Sequence, residues 1–148
     1  MSDLESVSRI VLGPTPRIDR ARLAAEFVRR AGSFRWVGLY DVTPTEIRAL
    51  AWTGSTAPAF PVFPVTQGLN GAAVASRTPV VVQDVSSDPR YLTTFGTTAA
   101  EAVYPVFDLA EAIVVGTLDV ESDRVGAFTH DHDRLLRDFA VLLRPLWS

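Results

Sequence analysis

The apolar residues of this chain change period along its length, and that change bounds the folds open to it. Near the N-terminus Leu4, Val7 and Val11 recur at three- and four-residue steps, the spacing of one face of a helix. Ser2 and Glu5 have the spacing of a capping box, and Gly13-Pro14-Thr15-Pro16 ends the run. A second helix is predicted from Asp19 as N-cap to residue 31, burying Leu23, Phe27 and Val28 and leaving through Gly32. Residues 34–42 are then aromatic, β-branched or apolar, and Thr43-Pro44-Thr45-Glu46 turns the chain into a second strand over 47–53. A short, proline-punctuated strand is expected over 60–65, at a sheet edge or end. Behind Gly68-Leu69-Asn70-Gly71 comes a small-residue helix over 72–76, followed by an apolar strand over 80–82. Two more strands, 101–107 and 112–121, flank a turn at 108–111, and a final helix over 129–143 stops at Pro145. Hairpins dominate these connections. The pattern therefore predicts an α+β fold: a mostly antiparallel central sheet of about six strands, with the N- and C-terminal helices packed on one face. One domain is expected over 1–148, with a helix and linker in 1–16 and the core in 17–148.

Residues 84–100 lack periodicity, and a loop of that length inside a compact domain is uncommon unless it is mobile or functional. The absence of cysteine in 148 residues excludes disulfides, thiolate nucleophiles, thiolate metal sites and thiol redox cycles. The formal net charge is −3, and all 14 basic residues are scattered arginines, so the basic stripe of a nucleic-acid footprint is missing. No apolar run approaches the roughly 18 residues of a membrane span. The acidic start Met1-Ser2-Asp3-Leu4-Glu5 is unlike a signal peptide, so neither membrane nor nucleic acid is expected as a partner, and a cytoplasmic location is.

Strand alternation places Trp36, Gly38 and Tyr40 on one face, and likewise groups Asp119 with Glu121 and Glu101 with Val103 and Pro105. On the residues alone, the plain reading puts these carboxylates on a solvated sheet face, since half-wet antiparallel sheets are ordinary. The sharper reading gathers Trp36, Tyr40, Glu101, Asp119 and Glu121 around one concave site for a cationic or amine-bearing small ligand. Carboxylates would meet the charge and aromatic faces the body of such a ligand. His130-Asp131-His132-Asp133 suggests a metal site only weakly. Two histidines two apart on a helix point about 200° from one another, and a helix start capped by Thr129 explains the run better. No metal or other cofactor is expected. Gly68-Leu69-Asn70-Gly71 lacks the lysine and spacing of a phosphate loop and reads as a turn, and no Gly-x-Ser-x-Gly motif supports a serine hydrolase.

Trp36-Val37-Gly38-Leu39-Tyr40, Gly68-Leu69-Asn70-Gly71-Ala72-Ala73, Gln83-Asp84-Val85, Glu101-Ala102-Val103-Tyr104-Pro105-Val106, Gly116-Thr117-Leu118-Asp119-Val120-Glu121-Ser122 and Phe128-Thr129 with Asp133 follow one another along the chain. Taken together, these stretches resemble a GAF domain. Within that superfamily they resemble the free methionine-(R)-sulfoxide reductases, over about residues 19–143. The resemblance implies three redox cysteines, and an ungapped overlay places Phe60, Asn70 and Thr94 at their positions. A thiolate attacks the sulfoxide in that chemistry and a disulfide resolves the product, which neither an amide nor a hydroxyl replaces. The resemblance also implies a ligand pocket at Trp36, Tyr40, Glu101, Asp119 and Glu121, with Glu121 a longer acid than the aspartate usual there.

These readings converge on a small-molecule-binding, sensory GAF domain, inactive as a methionine sulfoxide reductase, with a small amine-bearing metabolite as its partner. Signalling would run through a homodimer or another protein. Leu4, Val7, Val11, Leu142, Leu146 and Trp147 are candidates for a helix-mediated homodimer, or else complete the monomer's core. Two other classes stay open: an enzyme with non-thiol acid/base chemistry, using Glu101 or Asp119 as general base, and a structural interaction module. An active reductase would require a different motif register.

Overall fold

The computed structural model describes every residue except Thr94. Helix α1 spans Asp3–Val11, and its capping box forms as expected: the Glu5 N–H donates to Ser2 Oγ and the Ser2 N–H to the Glu5 carboxylate. Helix α2 spans Arg17–Gly32, beginning ahead of the predicted Asp19 cap. Pro16 is the reason: its ring holds φ at −53°, already suited to a helix, its ψ of 146° sets the entrance, and its carbonyl accepts from the N–H groups of both Asp19 and Arg20. Leu23 is also corrected, being half exposed, because α2 lays its smaller residues Ala21, Ala24, Ala25 and Val28 against the sheet.

Strands β1 (Trp36–Val42), β2 (Glu46–Thr53), β3 (Val62–Pro64), β4 (Val80–Val82), β5 (Ala100–Phe107) and β6 (Val114–Ser122) form one sheet. Their order is β3-β2-β1-β6-β5-β4, and every pairing is antiparallel. Helix α3 (Gly68–Ser76) starts four residues earlier than predicted, so Gly68-Leu69-Asn70-Gly71 is its first turn and not a separate one. Helix α4 (His130–Leu142) is capped by Thr129, whose hydroxyl accepts from the His132 N–H. That bond fixes the His-Asp-His-Asp run as a helix start.

One sheet face carries Val37, Leu39, Ala102, Tyr104, Val106, Leu118 and Val120 and is covered by α1, α2 and α4. The six residues considered for a homodimer belong to this layer. Val7, Val11 and Leu146 are buried in it, and Leu4, Leu142 and Trp147 pack against it. The C-terminus is latched there as well: Arg17 Nε donates to the Leu146 carbonyl at 2.6 Å, and Asp41 accepts from both Arg17 and Trp147 Nε1. Helix α3 lies on the opposite face, where Leu69 and Ala73 pack on Val103. No helix among the described residues is long and apolar enough to cross a membrane.

Candidate functional site

The face opposite the helical layer is where the five predicted pocket residues meet. Register pairs Trp36 with Glu121, Gly38 with Asp119 and Glu101 with Glu121, so two-residue alternation delivers all of them to the same side. The solvated-face reading fails. Glu101, Asp119 and Glu121 are only 4%, 2% and 0% exposed, because α3 and the segment after β4 cover this half of the sheet. Their carboxylate oxygens lie within 4.8 Å of one another, a donor set that suits an ammonium group or a hard cation.

Gly38 and Gly71 make the arrangement possible. A Cβ at Gly38 would stand 2.3 Å from the Trp36 ring, so only glycine lets the indole lie across β1. A Cβ at Gly71 would meet the backbone of residues 65 and 66 at 2.8 Å, so glycine lets α3 seat closely enough to carry Asn70 into the site. Asn70 Nδ2 donates to Asp119 Oδ2 at 2.9 Å, while Asn70 Oδ1 accepts from the Thr117 hydroxyl at 2.6 Å. The Thr98 hydroxyl donates to Glu121 Oε1 at 2.8 Å. Trp36 Nε1 donates to the Thr56 carbonyl and its ring lies 5.2 Å from Phe95, while Tyr40 meets Phe63 edge-on at 5.9 Å.

Crowding of like charges governs the electrostatics. Burial, then repulsion from Asp119 and Glu121, raises the Glu101 carboxyl well above the ordinary carboxylate range. Burial raises Asp119 as well, opposed by hydrogen bonds with Glu101 and Asn70. Asp119 Oδ1 is buried without an N–H or hydroxyl donor among the described residues, and the hydrogen bond between the Glu101 and Asp119 side chains requires a proton on one of the two carboxyls, which the greater rise of Glu101 assigns to Glu101. Tyr40 is raised by burial and by the three acids, so its phenol stays neutral.

A cavity of about 10 Å³ remains between these groups, lined by Glu101, Asp119, Asn70, Tyr40, Phe60 and Leu92 among others. It has room for about one water. Phe60 and Asn70, two of the three positions where the reductase resemblance requires cysteine, thus both border the carboxylates, and Thr94, the third, lies outside the described residues. Asn70, Thr98 and Thr117 complete the polar site. Asn70 had a signal in its glycine-flanked turn, whereas the two threonines have none in the sequence.

The fold has counterparts among solved structures. A type II free methionine-R-sulfoxide reductase from Thermoplasma acidophilum superposes with a TM-score of 0.80 at 27% identity, over 88% of this chain and 94% of that one. The free methionine-R-sulfoxide reductase of Neisseria meningitidis, solved with its substrate, gives 0.86 at 25% identity, over 97% and 85%. The GAF domain of an Acinetobacter phosphoenolpyruvate-protein phosphotransferase gives 0.84 at 14% identity, over 99% and 93%, a likeness of fold alone. No curated protein matches the sequence. The GAF domain profile matches residues 16–144, the whole of the sheet and all but the first helix, and the chain belongs to the GAF domain family.

Proposed function

We propose that this GAF domain is a binding, sensory module for a small amine-bearing metabolite and is inactive as a methionine sulfoxide reductase. One observation carries the reading: three buried carboxylates converge within 4.8 Å between aromatic walls. Neither Glu101 nor Asp119 is ion-paired with an arginine among the described residues. An ammonium would discharge that repulsion, with Trp36 and Tyr40 offering ring faces to it. The thiol steps of the reductase cycle have no residue to perform them, since the chain has no cysteine. Entry requires Phe60 and Leu92 to move, because the cavity holds about one water. Leu92 also borders a cleft of about 960 Å³ on the solvent side, so its displacement joins the two. Pairing of two copies completes the reading. Leu12, Ile18 and Leu23 are the apolar side chains exposed for it on α2 and the α1 end, the six core residues being already engaged.

A thermal-shift screen of amino acids, methionine sulfoxide, polyamines and nucleotides tests this. An amine present at 100 times its Kd stabilises by about 2.7 kcal/mol. Asp119→Asn is expected to remove the shift, and a screen in which no amine moves the midpoint refutes the reading. A thioredoxin-coupled assay with free methionine sulfoxide is expected to show no turnover. The raised carboxyl of Glu101 favours one second reading, a non-thiol enzyme with Glu101 as general acid or base, which product formation from a bound amine would reveal.

A further inference from the structure

A second cavity, of about 300 Å³, opens between α4, β5 and the β5–β6 loop, away from the carboxylates. Arg77, Arg137 and Arg144 all line it, against the single carboxylate of Glu111. That is a local excess of positive charge on a chain whose net charge is −3. Arg77 has no ion pair among the described residues, and its guanidinium stacks over the Phe107 ring at 5.1 Å. Arg137 uses Nε on Asp133 at 2.9 Å. Arg144, its side chain 15% exposed, donates from Nη2 to the Asp108 carbonyl at 2.7 Å, while its buried Nε has no hydrogen-bond partner. Glu111 stands 3.6 Å from Arg144 Nη1 and is 76% exposed, a loose contact that a stronger anion would displace.

Two further observations point the same way. Among the described residues three non-glycine positions adopt positive φ, and two of them, Arg77 at 57° and Glu111 at 58°, line this one groove. Arg77 takes it as the left-handed C-cap of α3 and Glu111 in the β5–β6 turn, so the backbone fixes where both side chains leave for the groove. Strand β4 pairs with β5 only as far as Val103, leaving Tyr104–Phe107 as open edge. Pro105 sits on that edge without an N–H to offer, which disfavours an added peptide strand and leaves the groove to a small molecule. Guanidinium forks match the paired oxygens of phosphate and carboxylate, and Phe107 and Val141 supply an apolar floor.

We propose that the groove between α4 and the open edge of β5 is a second ligand site, in which Arg77, Arg137 and Arg144 hold a compact, multiply charged oxyanion such as a phosphate ester or a polycarboxylate. The site is independent of the amine reading, and either stands without the other.

Isothermal titration calorimetry with pyrophosphate and with citrate, at low ionic strength, tests it and separates the two sources of oxyanion. Saturable binding of at least one probe at one per chain is expected. Arg77→Asn, which keeps a residue tolerant of positive φ, is expected to weaken that binding at least tenfold without altering the melting point of the unliganded protein. Glu111→Gln, which removes the competing carboxylate, is expected to tighten it severalfold. Arg22→Gln, on α2, and Glu101→Gln, in the carboxylate pocket, are expected to leave it unchanged. Absence of saturable binding by either probe overturns the proposal, as does equal weakening by Arg77→Asn and Arg22→Gln, the mark of diffuse charge attraction.

Discussion

Replacing Glu101 with glutamine isolates the electrostatic cost built into the empty pocket. Two like charges 4.8 Å apart repel by about 3.5 kcal/mol at an effective dielectric of about 20. A fully ionised triad contains three such pairs, about 10 kcal/mol, comparable with the roughly 5–15 kcal/mol that holds a whole domain together. At least one proton must therefore stay. Glu101, raised well above its unfolded value of 4.5, is the group that keeps it. Above that pH the folded chain binds a proton that the unfolded chain has released, so stability falls as pH rises, by about 1.4 kcal/mol per pH unit, until folded Glu101 ionises. For a chain of this length that is about 3–6 °C of melting temperature per pH unit. Glutamine keeps a hydrogen-bond donor beside Asp119 but has no proton to lose. Urea denaturation followed by tryptophan fluorescence from pH 5 to pH 8, at fixed ionic strength, is expected to show a falling stability for the wild type. The Glu101→Gln profile should be markedly flatter, retaining only the share of Asp119. Parallel profiles would refute the reasoning, because Glu101 would then be ionised in the folded state at every pH tested.

The acid side of the same profile belongs to Glu26. Bonds from Arg29 and Thr53 hold its carboxyl down at about 2, so its contribution is complete above pH 4.5 and is lost as pH falls toward 2, and Glu26→Gln should flatten that limb when the urea series is extended down to pH 2, while leaving the slope above pH 5 intact. Gly38→Ala drives a methyl group into the Trp36 ring, an overpacking expected to cost about 1–3 kcal/mol in urea denaturation and to shift the tryptophan emission. Asn70→Ala strips the buried Asp119 carboxylate of its amide donor, with an expected loss of about 1–3 kcal/mol in the unfolding free energy from urea denaturation.

Much of the fold was legible because period and punctuation agree. Alternation in 36–40, 101–105 and 117–121 placed the aromatic and acidic residues on one face, and the antiparallel register brought them together. What alternation cannot decide is which face water reaches. The solvated-face reading failed because α3 covers that side, a tertiary fact with no local signature. The same limit explains α3 itself: a glycine pair looks like a turn until Gly71 is seen to permit close packing on residues 65 and 66. At Leu23 the larger side chain was expected inside, but a helix lying tightly on a sheet buries its alanines and leaves the leucine at the rim. The threonines that support Asp119 and Glu121 come from β6 and the loop before β5, and nothing in their local sequence marks them.

A cavity with room for about one water also sets a rhythm for any molecule that enters it. Binding must wait for the covering side chains of Phe60 and Leu92 to part, so the observed association rate levels off at the opening rate as ligand is raised. The affinity is discounted by the same step: a pocket open in about one molecule per hundred binds about a hundredfold more weakly than its contacts alone allow. On the proposed binding role, trimming Leu92 would therefore speed capture and tighten binding together, and the side chain that seals the site would also set the concentration range of any response.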